Sequence, residues 1–290
     1  MNVGFIGLGT MGYHMAGHLS AKGFSTAVFN RTADRADRWR LQHDGAAFAT
    51  VEELAKECAV IMTCVGNDDD VRGIYLGGSS DHLGILANAG EGAILIDHTT
   101  TSAVLAKEIE LKAKSRGISF LDAPVSGGEI GAVNGQLTTM VGGDADTLSV
   151  VMPMLRTYSK AVTYMGAAGN GQLTKMVNQI CITGVLQGLS EALTFAEATG
   201  LNVDQVSDAI SGGAAGSWQL SNRLKTMHRR EFDFGFAVDW MRKDLAFCLD
   251  EARQKSLRLM CAEHADNEYS KLQAQGENRS DTSVLVKQYD

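Results

Sequence analysis

Apolar residues along the first half of the chain fall in short runs separated by stretches with a longer period. Runs at residues 2–6, 25–29, 59–65, 93–97, 118–123 and 137–141 have strand length and polar or glycine-containing flanks. A last run at 162–165 is expected to close the sheet. Intervening stretches such as 104–114 and 144–156 place their apolar residues at helical spacing. This alternation predicts a parallel, doubly wound sheet that binds ligands beyond the carboxyl ends of its strands.

From Gly169 the strand signal fades. A proline-free, apolar-periodic segment runs from Gly169 to about Thr199 and stops at Gly200. At 1.5 Å per residue it would be ~45 Å long. Its apolar positions (Leu173, Met176, Val177, Ile180, Val185, Leu189, Leu193, Ala196) lie on more than one face, so a helix linking two domains is expected. Helical segments follow near 203–210, 218–227, 238–253 and 257–272. A polar loop is expected over 276–281, ahead of Val284-Leu285-Val286. The organisation predicted is an α/β domain over 1–165 and an all-α domain over 166–290.

Composition narrows the class. The 290 residues, 44% hydrophobic with 32 glycines, suit a compact α/β protein. A net charge of −8 argues against nucleic acid as a partner, which would need a clustered basic face. Five cysteines are scattered, odd in number and without Cys-x-x-Cys spacing, which favours a reducing compartment over a disulfide framework. No charged-then-apolar leader and no run near the ~20 residues of a membrane span occur, so a soluble cytoplasmic protein is expected.

The first strand leads straight into Gly7-Leu8-Gly9-Thr10-Met11-Gly12, a helical pattern to Lys22-Gly23, and a second strand. In that frame G-x-G-x-x-G carries a mechanism: the Rossmann dinucleotide fingerprint. Gly7 permits the tight turn, Gly9 lets backbone approach a pyrophosphate, and Gly12 lets helix and strand pack closely. After the second strand comes Phe29-Asn30-Arg31-Thr32, with no acid at the tip. Arg31 can pair with a 2′-phosphate, with Asn30 and Thr32 as hydrogen-bond donors, so NADP is preferred. Asp34 keeps NAD as the alternative.

Gly66, Asp70 and Thr100 lie at or just beyond predicted strand ends, where ligand contact and ordinary loop polarity are both open readings. Asp122-Ala123-Pro124-Val125-Ser126-Gly127-Gly128 offers a hydroxyl and two residues without Cβ, either a carboxylate cradle or a plain turn. Lys175 and Asn178 are three apart at the start of the long helix and share a face. Beside a nicotinamide, a lysine ammonium can donate a proton to a carbonyl oxygen during reduction, and the neutral amine can accept one during oxidation. Asn178 can hold the same oxygen or a substrate carboxylate. Lys243, flanked by apolar helix positions, can aim inward or be solvated.

Other chemistries fit poorly. His14 and His18 have zinc-compatible spacing but no accompanying H-E-x-x-H frame, so no metal is expected. A serine-nucleophile G-x-S-x-G is absent.

The glycine motif, the 122–128 stretch, Gly169 to Asn178 and Lys243-Asp244-Leu245, in this order, make the chain resemble the 3-hydroxyisobutyrate dehydrogenase family of β-hydroxyacid dehydrogenases. The resemblance extends over nearly the whole chain. It implies a Rossmann domain, a helical domain and a cleft between them, and makes Lys175 the catalytic acid/base. Ser126, Gly127 and Asn178 would contact substrate, and Gly128 is taken with them as substrate-binding. Val65, Gly66, Thr100 and Lys243 would line the cofactor site, with Asp70 nearby. Trp218 and Phe236 are guesses for the substrate side-chain pocket.

The family often has Leu-Pro at Val65-Gly66, Asn at Asp70, and a Pro near Leu259-Met260 that is missing here. Asn30-Arg31-Thr32 is similar to the glyoxylate and succinic semialdehyde reductase branch, which uses NADPH. The expected activity is NADP-preferring oxidation or reduction of a small 3- or 4-hydroxy acid and its semialdehyde, by a homodimer or homotetramer. The alternatives are an NAD-dependent 3-hydroxyisobutyrate or serine-type dehydrogenase, and a non-catalytic dinucleotide-binding module. A pure sensor would need neither Lys175 nor Asn178, and an imine reductase usually lacks this lysine.

Overall fold

A computed structural model describes residues 2–78 and 83–290. The chain divides into two compact units, Met1–Lys175 and Met176–Asp290. The first unit runs β1 (Val3–Ile6), α1 (Gly12–Ala21), β2 (Thr26–Phe29), α2 (Ala33–Gln42), β3 (Ala46–Ala47), α3 (Val51–Glu57) and β4 (Val60–Thr63). It continues with α4 (Asp68–Leu76), α5 (Gly84–Asn88), β5 (Ile94–Asp97), α6 (Ala103–Lys114), β6 (Ser119–Asp122) and β7 (Val125–Ser126). Then come α7 (Gly128–Val133), β8 (Leu137–Gly143), α8 (Ala145–Leu155) and β9 (Ser159–Tyr164).

Strand order is β3-β2-β1-β4-β5-β6-β8-β7, with β9 also paired to β8. Strands β1 to β6 are parallel, and the order reverses between β1 and β4, the switch point at which such sheets bind ligands. Each central strand is buried on both faces. Val3, Phe5, Val60, Met62, Ile94 and Ile96 enter one core, while Ile6, Ile61 and Leu95 enter the other. Side chains of Thr50, Asn67, Ser102 and Asp144 cap α3, α4, α6 and α8, each accepting from a backbone N–H in the first turn.

The expected parallel sheet holds through β6, and only the strands beyond it depart from it. β8 is antiparallel to β6 and β7, whereas β9 is parallel to β8. The cause is connection length. Only the six-residue α7 lies between β7 and β8, short of the dozen or so residues a crossover needs. The eleven-residue α8 supplies one between β8 and β9.

Helix α9 (Asn170–Ala198) has 29 residues, and the expected domain boundary at 165/166 falls in the loop before it. The division into units falls inside the helix instead, after Lys175. Its first turn is bonded to the sheet, as described below, and so belongs with the first unit.

The second unit continues with α10 (Val203–Ile210), α11 (Trp218–His228), α12 (Val238–Gln254) and α13 (Met260–Ala274), followed by 3-10 turns at Glu277–Arg279 and Thr282–Tyr289. Leu186, Leu189, Leu193, Leu224, Met241, Leu245, Tyr269 and Val284 to Val286 share its core. The C-terminal segment is fastened by an ion pair to the buried Asp281, with Arg223 Nε 3.1 Å from Asp281 Oδ1. Among the described residues, no helix is long and apolar enough to cross a membrane.

Candidate active site

The register of the sheet sets Ile6, Thr63, Asp97 and Asp122 in one row at the carboxyl ends of β1, β4, β5 and β6. Gly7 leaves β1 with φ +96°, and a Cβ there would lie 2.3 Å from the Cys64 carbonyl and 2.8 Å from Val65 Cγ1. A Cβ on Gly12 would lie 1.9 Å from the Gly7 carbonyl oxygen. Gly9 is open by contrast: the nearest atom to its Cβ position is Arg35 Nη1 at 4.0 Å. The three glycines therefore separate into turn, open approach and close packing. Met11, at the N-cap of α1, supplies no side-chain cap to the first-turn N–H groups. A dinucleotide pyrophosphate fits this loop.

At the tip of β2, Asn30 holds the loop in shape. Its Oδ1 accepts from Leu8 N at 2.8 Å, and its Nδ2 donates to the Thr32 carbonyl at 3.0 Å. Thr32 stands at the N-cap of α2 without a side-chain capping bond. Arg31 is exposed and lies 3.3 Å from Asp70 Oδ1, so two expected cofactor residues 39 positions apart are brought together. Arg35, which the sequence reading missed, donates from Nη1 to the Leu8 carbonyl at 3.2 Å. Its signal is a second arginine four residues after Arg31, in the first turn of α2.

Past β4, Val65 N donates to Thr99 Oγ1 at 3.0 Å, and Gly66 leads to Asn67, the cap of α4. Asp68 accepts from both N and Oγ of Ser102, tying the loop after β4 to the one after β5, which carries Thr100. Ser126 pairs with Thr138 in the short β7, and Gly127 (φ +133°) and Gly128 (φ +60°) turn the chain into α7. Nothing lies within 4 Å of a Cβ position on Gly128. Both glycines hold conformations that side chains rarely adopt.

Beneath these loops lies a buried polar row. Asp97 Oδ1 accepts from Thr63 Oγ1 at 2.8 Å and from Thr99 N at 3.0 Å. Burial raises its pKa from 3.8 to about 6, against the pull of these bonds. His98 next to it is neutral. Nδ1–H donates to the Ala123 carbonyl at 2.7 Å, Nε2 accepts from Tyr158 at 2.9 Å, and burial lowers the pKa from 6.5 to about 4.

The two shifts act oppositely on stability. As pH falls through 6 towards 4, native Asp97 takes up its proton before the unfolded chain does, which stabilises the fold. Over the same window the unfolded chain protonates its histidine first, which destabilises it. Asp97→Asn should therefore lose thermal stability more steeply than wild type between about pH 6 and pH 4, where the offset is gone. Parallel melting-temperature profiles for the two proteins would refute the Asp97 assignment.

The start of α9 is fixed to the same row. Asp122 Oδ1 accepts from Gly169 N at 2.7 Å, and its Oδ2 accepts from Gln172 N at 2.9 Å. The Gln172 side chain accepts from Thr101 N at 3.0 Å and donates to the Thr99 carbonyl at 2.7 Å. Lys175, three residues on, is buried, with 7% exposure. Asn178 follows on the same helix face.

In the second unit, Asn178 Nδ2 donates to Gln179 Oε1 at 2.7 Å, and Gln179 Nε2 donates to the buried Asp244 Oδ2 at 2.6 Å. Lys243 Nζ lies 3.3 Å from the other Asp244 oxygen. Two expected site residues, Asn178 and Lys243, are thus joined through Gln179 and Asp244; neither is an expected site residue, though Asp244 lies in the Lys243-Asp244-Leu245 motif. Trp218 is half-exposed, and the Arg223 guanidinium lies 4.9 Å from its ring centroid. Phe236 packs against the helical core. The two guessed pocket residues thus make different contacts. Among the described residues, no group of three or more His, Cys, Asp or Glu side chains could hold a metal ion.

Comparison with known proteins bears on this arrangement. Residues 2–166 match the family model described as the NAD binding domain of 6-phosphogluconate dehydrogenase. Residues 169–289 match the one described as NAD-binding of NADP-dependent 3-hydroxyisobutyrate dehydrogenase. An uncharacterized oxidoreductase of Shewanella frigidimarina is 51% identical over 284 residues, covering 98% of this chain and 96% of that protein. The probable 3-hydroxyisobutyrate dehydrogenase-like 1, mitochondrial, of Arabidopsis thaliana is 39% identical, covering 98% and 84%. The structure of Mycobacterium tuberculosis 3-hydroxyisobutyrate dehydrogenase with L-serine superposes with a TM-score of 0.88 at 29% identity, covering 99% of this chain and 98% of that one. The chain belongs to the 3-hydroxyisobutyrate dehydrogenase-like family of β-hydroxyacid dehydrogenases and is an NAD(P)-dependent hydroxyacid dehydrogenase.

Proposed function

We propose that the protein is an NADP-preferring reductase and dehydrogenase of a small 3- or 4-hydroxy acid and its semialdehyde, with Lys175 as general acid and base. The observation that carries this reading is the place of Lys175: a buried lysine on the anchored start of α9, at the carboxyl ends of β5 and β6. NADP(H), when bound, supplies or accepts the hydride. The glycine loop from Gly7 to Gly12 would hold its pyrophosphate, and Arg31 its 2′-phosphate. The Lys175 ammonium donates a proton to the carbonyl oxygen under reduction, and the neutral amine removes the hydroxyl proton in the reverse direction. Asn178, one turn on, orients that oxygen, and Ser126 to Gly128 receive the substrate carboxylate. Self-association into a homodimer or homotetramer is part of the same reading. It is supported by Val177, Val185 and Phe195, which α9 leaves exposed along one stripe.

A second reading has its own support. Asp70 sits against Arg31, where its negative charge offsets the guanidinium that a 2′-phosphate would seek. That favours NAD and an acid of the 3-hydroxyisobutyrate or serine type, in line with the serine-bound relative. Steady-state rates with the two cofactors at equal concentration separate the readings. NADP(H) should turn over faster; faster turnover with NAD(H) would make the Arg31 argument wrong.

A further inference from the structure

Asp122 is fully buried, yet no step of the chemistry above uses it. Its two oxygens are taken up by backbone N–H groups of a segment 47 to 50 residues later, Gly169 and Gln172. The sequence around it is shaped to allow this approach. A Cβ on Gly142 would lie 2.5 Å from Asp122 Oδ1, and one on Gly171 would lie 2.7 Å from Oδ2. Burial pushes the Asp122 carboxyl above its ordinary value, and the N–H groups of Gly169 and Gln172 pull it back. The N–H groups at a helix start lack intrahelical partners, and a carboxylate there also faces the positive end of the helix dipole. Capping residues ordinarily come from the chain just before the helix. Here the cap comes from a strand of the sheet, and Gln172 adds two bonds to the loop after β5.

We propose that Asp122 is a positioning residue for the reaction: its carboxylate, with Gln172, locks the first turn of α9 to the ends of β5 and β6 and so sets where the Lys175 amine stands. The proposal rests on Lys175 being the general acid and base. Reacting groups misplaced by about 1 Å lose rate by as much as 10²-fold, so a helix start free to shift would lower turnover without touching the glycine loop that binds the cofactor. Asn at this position matches Asp in size but offers one acceptor oxygen. Its NH2 group would face a backbone N–H where a carboxylate oxygen now accepts.

A double-mutant cycle tests this, with kcat and NADPH affinity measured for wild type, Asp122→Asn, Lys175→Ala and the double variant. Asp122→Asn should lower kcat by about tenfold or more, with the NADPH dissociation constant, read by nucleotide fluorescence, within about twofold of wild type. In the Lys175→Ala background the same substitution should change the residual kcat by less than about twofold, because its effect runs through the missing amine. An equal loss in both backgrounds, or a matched loss of cofactor affinity, would show a general structural role and overturn the proposal. Near-normal turnover of Lys175→Ala alone would remove the lysine's role and the inference with it, and that outcome is visible in the single variant. If Asp122→Asn does not fold, Gln172→Met, at the other half of the anchor, takes its place in the cycle with the same expectations.

Discussion

Lys175→Ala will lose turnover by about 10²-fold or more while binding NADPH almost as tightly as wild type. A positioned general acid contributes on the order of 10²–10⁴ to such a step, and water reaches a buried site poorly as a substitute. The variant keeps the helix in which the side chain stands. Alanine is the strongest helix former, and the turn before Lys175 is held by Asp122 and Gln172 through bonds of 2.7 to 3.0 Å. Lys175 lies outside the Gly7 to Gly12 loop that would hold the pyrophosphate, so NADPH affinity should be kept. Turnover near wild type would take Lys175 out of the mechanism. A parallel loss of NADPH affinity would instead make it a binding residue.

Arg31→Ala will weaken NADPH by about 10- to 100-fold and leave NADH nearly unchanged. A hydrogen bond to a charged group is worth about 1.5–3 kcal/mol, which sets that range, and NADH carries a hydroxyl where NADPH carries the phosphate. The fold should not suffer, because the Arg31 side chain is 87% exposed and its ion pair with Asp70 is of the surface kind that contributes little. Without Arg31, Asp70 would face the incoming phosphate with its charge unopposed, which adds to the loss. Equal effects on both cofactors, measured by titration, would sink the phosphate assignment and favour the NAD-dependent reading.

Much of this arrangement was legible in the residue pattern because the signals are local. Apolar runs of strand length and helical spacing placed the central strands and the long helix to within a few residues, and α10 falls at the 203–210 expected. The glycine loop carried its own steric logic, seen again in the positions a Cβ would take on Gly7, Gly9 and Gly12.

What the pattern hid is non-local. Nothing near Asp122 announces that its carboxylate caps a helix beginning 48 residues later, and nothing near Arg31 points to Asp70. These pairings depend on strand register, which places Thr63, Asp97 and Asp122 in one row only after the sheet has formed. The antiparallel β8 was missed for a related reason. Its residues read as a strand in either direction, and only the shortness of the α7 connection decides the sense.

The central claim is that this chain passes a hydride between NADP(H) and a small hydroxy acid or its semialdehyde, with Lys175 moving the proton. The most direct measurement is the rate of NADPH oxidation by the purified protein with glyoxylate and a panel of small semialdehydes, set beside NADP reduction with 3-hydroxy acids and repeated with NADH and NAD. Turnover of at least one member, faster with the phosphorylated cofactor, is the predicted result. No turnover of any member with either cofactor would contradict the account.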